Sequence, residues 1–387
     1  MRFPPAPTLF VSQFAAQAAF LAPVPVLPAI ARDLGVSVAA AGQLRTISGA
    51  AAALTALGAG ALARRLGIRR MLLLGLALIA AGAAASAAAP SFLLLAAAQP
   101  AVGAGMATVL AGGWSAAAAW VPPAGRARLL GWTIVGQPAA WVVGMPVIGL
   151  VTAGSWRWAW IALPLAAAVL AGAGVASRRP DGLPPVRAAG ARRYPDGVGA
   201  WALGELLTYA AWGAVLVYAG AFFIEAQHVS ARDAGLLLGA AATGFLPGTL
   251  LTRRWAEAHM RAMLVGFGLA AAGTVVLLDT LPLPTAGRTL LLGVLMFAIG
   301  ARTMAAGAFG LHETPDRRAA AMGIRAAAMQ LGNLAGAAAG GAAIATGGFP
   351  ALGVLAGGLF ALGTAPHLLP RRPTLPGGVL LPSPAPA

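Results

Sequence analysis

The chain has 387 residues, of which 59% are hydrophobic and only 9% charged, and its mean hydropathy is +0.81. A water-soluble globule with a polar surface does not reach these values, so lipid is expected to be the main solvent of this surface. The net charge of +16 rests on 26 arginines without any lysine; their spacing between apolar stretches argues against the nucleic-acid reading that such a charge invites in a soluble protein.

A helical crossing of the bilayer core needs roughly 20 apolar residues. On that measure the chain divides into twelve spans, at about 9–31, 36–61, 71–88, 92–119, 129–153, 158–177, 200–223, 234–252, 262–280, 287–311, 320–345 and 350–369. The first stretch is as long as a full span and another follows at once, so it is read as a retained helix rather than a cleaved signal. Between spans 6 and 7, residues 178–199 carry five arginines and four prolines and are expected to link two six-helix halves, 1–177 and 200–370; the proline-rich residues 371–387 are expected to be a disordered tail.

The arginines set the orientation. Nineteen of the 26 fall in one set of alternate loops and tails and four in the opposite set, while Arg45, Arg302 and Arg325 fall within or at the ends of spans. By the positive-inside rule the arginine-rich side is cytoplasmic. Both termini are then inside, and the expected location is the inner (plasma) membrane.

The halves also repeat. Pro123, Arg126 and Gly131 recur as Pro315, Arg318 and Gly323, and Gly144 and Gly149 recur as Gly336 and Gly341, all at an offset of 192 residues. Each match falls at the same place in its half, as a six-plus-six duplication would give.

Particular segments resemble one family. Gly60-Ala61-Leu62-Ala63-Arg64-Arg65-Leu66-Gly67-Ile68-Arg69-Arg70, between spans 2 and 3, resembles the G-x-L-A-D-R-x-G-R-R loop of the major facilitator superfamily, with Arg64 and Ile68 as departures. Gly144-Met145-Pro146 through Gly149, followed by Ser155-Trp156-Arg157, resembles the span-5 motif of that superfamily's drug/proton antiporter branch. Pro28 to Ser37 is similar to the end of its first helix and the following loop. The resemblance implies an all-α membrane fold of twelve helices in two pseudo-symmetric halves that rock about a central site. It makes Gly60, Arg65, Gly67, Arg69, Gly144, Pro146 and Gly149 gating candidates, and Arg325 is a further one. The aspartate that helps latch the family's cytoplasmic gate is replaced by Arg64, so a latch here must use other groups.

Independently of any family, glycines at spacing four on span 11 (Gly332, Gly336, Gly340) form a small-residue ridge that suits either tight packing or sliding halves.

Few residues can carry chemistry. Apart from Asp279 at the end of span 9, Glu205 is the only acid placed inside a span, and a buried charge there should be paired, protonated or facing water. Glu205 is therefore the candidate proton-coupling residue, with Arg325 or Arg302 as partner; a structural ion pair is the competing account. Arg45, near the middle of span 2, and Arg302 are candidate substrate contacts or structural props. Three arginines against one acid in the span interiors favour an anionic or zwitterionic solute. Gln13, Gln17 and Gln137 are candidate cavity amides, and Trp114, Tyr209 and Trp212 candidate apolar walls. Trp156, Trp158 and Trp160 read as interfacial anchors.

No cysteine is present and the four histidines show no ligand spacing, so no metal and no cofactor is expected. No nucleophile, base and orienting residue form a set, and an enzyme is not expected. The expected function is a secondary active transporter exporting a small organic compound (drug-like, sugar or metabolite) by proton antiport. An importer or uncoupled facilitator is the first alternative, and a transporter-like sensor without flux the second. The partners are then a small-molecule substrate, protons and lipid, with no nucleic acid, and a monomer suffices.

Overall fold

The computed structural model describes residues 4–122, 125–152, 154–178, 198–256, 258–313 and 318–368. Nearly all of the expected linker at 178–199, and the whole tail at 371–387, lie outside the described residues. Among those described the chain is all-helical. Span 1 is Pro5–Asp33, span 2 Val38–Leu66, span 3 Ile68–Ala88, span 4 Phe92–Ala117, span 5 Arg128–Val151, span 6 Trp158–Ala176, span 7 Val198–Ala226, span 8 Ala231–Thr252, span 9 Met260–Thr280 and span 10 Thr285–Gly310. One further helical stretch, Arg318–Leu368, leaves helical backbone at Gly347 and Gly348, the latter with φ 66°. It is therefore two crossings, span 11 (318–346) and span 12 (349–368), joined by a turn in which glycine supplies the positive φ and Pro350 starts the next helix.

Local chemistry explains the boundaries. Ser37, Ser91 and Ser230 cap spans 2, 4 and 8 by accepting from Ala40 N, Leu94 N and Asp233 N at 3.0, 3.4 and 3.0 Å. Gly67, at φ 75°, ends span 2 and returns its N–H to the Ala63 carbonyl.

Proline breaks span 1, which the sequence presents as one helix. Pro23 and Pro25 have no N–H to close helical bonds, so the helix stops at Leu21, passes through a tight turn at Val24–Val26 and resumes at Leu27–Asp33. Wide π-helical turns at Ala140–Gly144 and Ile161–Leu165 adjoin or contain Pro138 and Pro164.

Spans 1 and 7 are the innermost helices, each 89% buried over its most apolar window, against 28% for span 2. Each is wrapped by its own half: span 1 by spans 4, 5 and 6, span 7 chiefly by spans 11 and 12. Large apolar side chains such as Leu57, Leu93 and Leu290 stand exposed, as a lipid-facing surface requires.

The glycine ridge on span 11 lies inside one half. A Cβ on Gly336 would press into the Ala210 carbonyl, and one on Gly340 would lie 3.1 Å from Ala214 Cβ, so the ridge seats span 11 on span 7 of the same half. It is not the surface on which the halves meet. That role falls to Gly341, one position on and about 100° around the helix, which faces Gln43 and Ala39 of span 2.

The tryptophan expectation is also corrected. Trp156 and Trp160 are buried in the core of the first half, while Trp158 alone faces outward. Trp156 Nε1 donates to Asp33 Oδ2 at 2.8 Å, and Arg157 Nη1 pairs with the same oxygen at 2.9 Å. The Ser-Trp-Arg segment thus pins the start of span 6 to the end of span 1.

Candidate functional site

Three pairs of spans make close backbone approaches between the two halves. Spans 2 and 11 meet where Gly49 backs onto Leu334, and spans 1 and 7 meet where Gly220 receives the Val24 carbonyl. Spans 5 and 8 meet at Gly149 and Gly235; a Cβ on Gly235 would lie 2.8 Å from the Met145 carbonyl. All three approaches lie in the part of the bundle remote from the termini. Beyond Gly244, span 8 turns away and packs on span 10 of its own half, with Gly248 against Phe297 and Phe245 against Gly300. Among the described residues the halves are joined at the end remote from Pro4 and Leu368 and part toward the end where those two residues lie.

Tyr218 of span 7 bolts the joined end. It fills a notch left by Gly42 of span 2 and Gly341 of span 11, where either Cβ would collide with its ring or hydroxyl. The hydroxyl donates to Ala337 O at 3.1 Å and approaches Ala39 O of the other half at 3.4 Å. Tyr218→Phe is expected to weaken this closure by about 1 kcal/mol, seen as a larger fraction of separated distances between spin labels placed on spans 2 and 11 at that end. Sequence reasoning did not single out Tyr218; its only advance signal was the pair of glycines opposite it.

The charged cluster sits in the second half. Glu205 lies seven residues into span 7, about 10 Å from its start, and is completely buried. Its Oε1 accepts from Arg302 Nη1 of span 10 at 2.6 Å and its Oε2 from Arg325 Nε of span 11 at 2.8 Å. Arg325 Nη2 also donates to Thr303 O at 3.2 Å. Tyr209, one turn along span 7, adjoins the cluster through Thr303. Arg302 itself is 2% exposed, and its Nε and Nη2 have no hydrogen-bond partner among the described residues. Both arginines expected as partners of Glu205 therefore hold it at once, which leaves the cluster one positive charge in excess.

Arg45 remains alone among the three span arginines. It is buried, donates to the Phe20 carbonyl and lies over the Phe20 ring, 3.0 Å from the centroid. That carbonyl stands just before the proline break of span 1, so Arg45 caps the break. It makes no ion pair among the described residues, where the three span arginines counted against one acid in the sequence become two that pair and one that does not.

In the first half Gln13 donates to Val109 O at 3.0 Å and accepts from Gln137 at 3.4 Å, joining spans 1, 4 and 5. Gln17 is buried one turn above. Trp212 stacks at a tilt on Trp141 across the seam between halves, 5.6 Å between centroids, whereas Trp114 is half-exposed on span 4.

The gating candidates separate into two groups. Pro146 and Gly149 line the seam, Pro146 filling the space a side chain at Gly239 would need and Gly149 lying against the span 8 backbone, whereas Gly144 faces Leu163 and Phe14 of its own half. Gly60 and Arg65 are exposed, Gly67 turns the loop, and Arg69 donates to Val175 O and Ala176 O at 3.3 and 2.7 Å. The loop between spans 2 and 3 is thus tied to span 6 of its own half.

A duplicated twelve-span bundle that is joined at one end, parted at the other and holds a buried ion cluster beside the seam has the architecture of a membrane transporter. The sequence model of the Major Facilitator Superfamily matches residues 9–202 and again 201–382, and the chain belongs to that superfamily. A crystal structure of a D-xylose-proton symporter superposes with a TM-score of 0.77 over 94% of this chain and 96% of that one at 15% identity, a likeness of fold. No curated protein matches the sequence.

Proposed function

We propose that this transporter is a secondary active exporter of a small organic solute working by alternating access with proton antiport, as in the drug/proton antiporter branch its span-5 motif resembles. It would sit in the inner membrane with both termini cytoplasmic, which makes the parted end the cytoplasmic one. The reading rests on one observation: a fully buried carboxylate, Glu205, gripped by arginines from two other spans. While ionised, Glu205 ties spans 7, 10 and 11 together. A proton arriving there cancels the charge that holds both arginines and loosens three helices at once. Substrate-loaded and proton-loaded crossings then differ in how the second half is braced, which couples the two fluxes. Arg45, Gln13, Gln17 and Gln137 offer polar contacts from the first half, and Tyr209, Trp212 and Trp141 an apolar wall from the seam.

The Nε and Nη2 of Arg302, which find no hydrogen-bond partner among the described residues, favour a second reading. An anionic or zwitterionic solute drawn to Arg302 once Glu205 is protonated would travel with the proton, giving symport and import. The structural relative, a D-xylose-proton symporter, is in line with it. The sign of the response to an imposed pH gradient separates the two. Hits from a ligand-screened thermal shift would be tested for flux in proteoliposomes carrying either the native protein or Glu205→Gln. The native protein is expected to concentrate its solute against a pH gradient; Glu205→Gln is expected to exchange it without any pH response. Undiminished pH-driven transport by the variant would remove Glu205 from the coupling role.

A further inference from the structure

The first half gathers positive charge at one end without an acid of its own to balance it there. Asp33 is the one acid among residues 1–177, and it stands at the end remote from Pro4, held by Trp156 Nε1 and Arg157 Nη1. At the opposite end, the turn from span 2 into span 3 carries Arg64, Arg65, Arg69 and Arg70. Arg69 is engaged by the Val175 and Ala176 carbonyls of span 6. Arg64, Arg65 and Arg70 are exposed and make no hydrogen bond or ion pair with any described residue.

Arg64 does not reach away from the bilayer. A Cβ built on Gly60 would meet only Arg64 Nη1, at 3.8 Å, so the guanidinium folds back over the preceding turn of span 2, the direction in which helical side chains lean. Gly58, close by, has nothing within 4 Å of a built Cβ. Deeper along the same helix Leu54 and Leu57 are 72% and 77% exposed. By helix geometry Arg64 falls within about 20° of Leu57 and Arg65 within about 20° of Leu54, about 10 and 16 Å further along the axis. Span 2 therefore presents two parallel tracks, each apolar toward the bilayer core and cationic toward the helix end, with glycine leaving bare backbone between.

This pattern selects an amphiphile with an anionic head. Guanidinium donors match phosphate oxygens, the exposed leucines give an acyl chain a surface to pack on, and basic clusters just outside a spanning helix attract anionic lipids. A soluble phosphate gains the arginines alone. A zwitterionic head brings its own cation, which the arginines repel.

We propose that the outer part of span 2 is a docking site for one anionic phospholipid, its phosphate on Arg64 and Arg65 and an acyl chain laid over Gly58 onto Leu54 and Leu57. The site borders the seam, because Gly60 returns to the side of the helix on which Gly49 meets Leu334 of span 11. It is separate from the Glu205 cluster and stands whichever way solute and proton move.

The test titrates dioleoylphosphatidylglycerol or dioleoylphosphatidylcholine into the purified full-length protein in neutral detergent and counts bound lipids by native mass spectrometry. The first phosphatidylglycerol is expected to bind about tenfold or more tighter than the first phosphatidylcholine, and that preference to vanish in Arg64→Gln/Arg65→Gln. Arg232→Gln/Arg254→Gln removes the same charge from exposed positions elsewhere and should keep the preference. Gly58→Trp fills the bare stretch at a position with room for a side chain, and should weaken phosphatidylglycerol binding about threefold or more. A large excess of glycerol phosphate, the head without its chains, should not displace the lipid. Equal binding of the two lipids, a preference kept by Arg64→Gln/Arg65→Gln, its loss in Arg232→Gln/Arg254→Gln, undiminished binding by Gly58→Trp, or displacement by glycerol phosphate would each overturn the proposal. If Arg64→Gln/Arg65→Gln fails to elute as a single species, the Gly58→Trp and glycerol phosphate arms decide.

Discussion

Replacing Glu205 with alanine is expected to cost about 3–5 kcal/mol of folding stability, because it leaves two arginines unpaired at a depth where one is 2% exposed. Thermal unfolding of the purified variant should show a large drop in midpoint, and surface expression should fall with it. The same physics makes a second, less obvious forecast. Desolvating an ion pair consumes much of what the pair returns, so Glu205→Leu combined with Arg302→Met should be clearly more stable than Glu205→Leu alone. The double-mutant cycle should give a coupling above about 1 kcal/mol between these two residues, as directly paired groups do. Arg325, 13% exposed and also bonded to Thr303 O, should show the smaller coupling. An alanine variant within about 1 kcal/mol of the native protein would mean that water reaches the cluster and that its arginines are not dependent on Glu205.

Gly336→Leu should be the most damaging single change on span 11. Even the Cβ of alanine would come within 2.7 and 2.9 Å of Ala210 C and Cα, backbone atoms that cannot rotate away. Alanine is expected to cost about 1–3 kcal/mol as spans 7 and 11 are forced apart, and leucine to prevent accumulation of folded protein. Gly273→Ala provides the control. Gly273 lies in span 9 with nothing within 4 Å of a built Cβ, so the exchange removes only glycine's helix penalty and should be neutral or stabilising by up to about 1 kcal/mol. Equal damage at both positions would show that span 11 tolerates no substitution for reasons other than its contact with span 7.

How far the fold could be read in advance depends on the range of the physics involved. Span number and sequence follow from solvent: about 20 apolar residues in a row have one stable arrangement in a bilayer, and the turn at Gly347–Gly348 separates spans 11 and 12 where the composition places it. Caps are equally local, as at Ser37, Ser91 and Ser230. The break in span 1 was written in Pro23 and Pro25, yet overall hydropathy hid it because proline leaves the stretch apolar while removing its hydrogen bonds.

The site was legible in part. Glu205, Arg302 and Arg325 stand out as charges in apolar segments, and scarcity alone makes them candidates for one another. That both arginines grip the acid together, leaving Arg45 to cap a broken helix, depends on the rotation of three helices about their axes. Helix rotation also explains the glycine ridge, where one residue's step turns Gly340 inward to span 7 and Gly341 outward to span 2. It explains Asp279 as well, which stands at a span end and which packing leaves only 8% exposed.

The sequence by itself determined that this chain crosses a membrane about twelve times, which loops carry its positive charge and which few ionisable side chains lie between them, because each of those properties is set by the residue and its near neighbours. Only the tertiary structure decided which charges meet, which glycines face the seam and which end of the bundle is shut, because contacts between residues 97 or 120 positions apart depend on how whole helices are turned and pressed together.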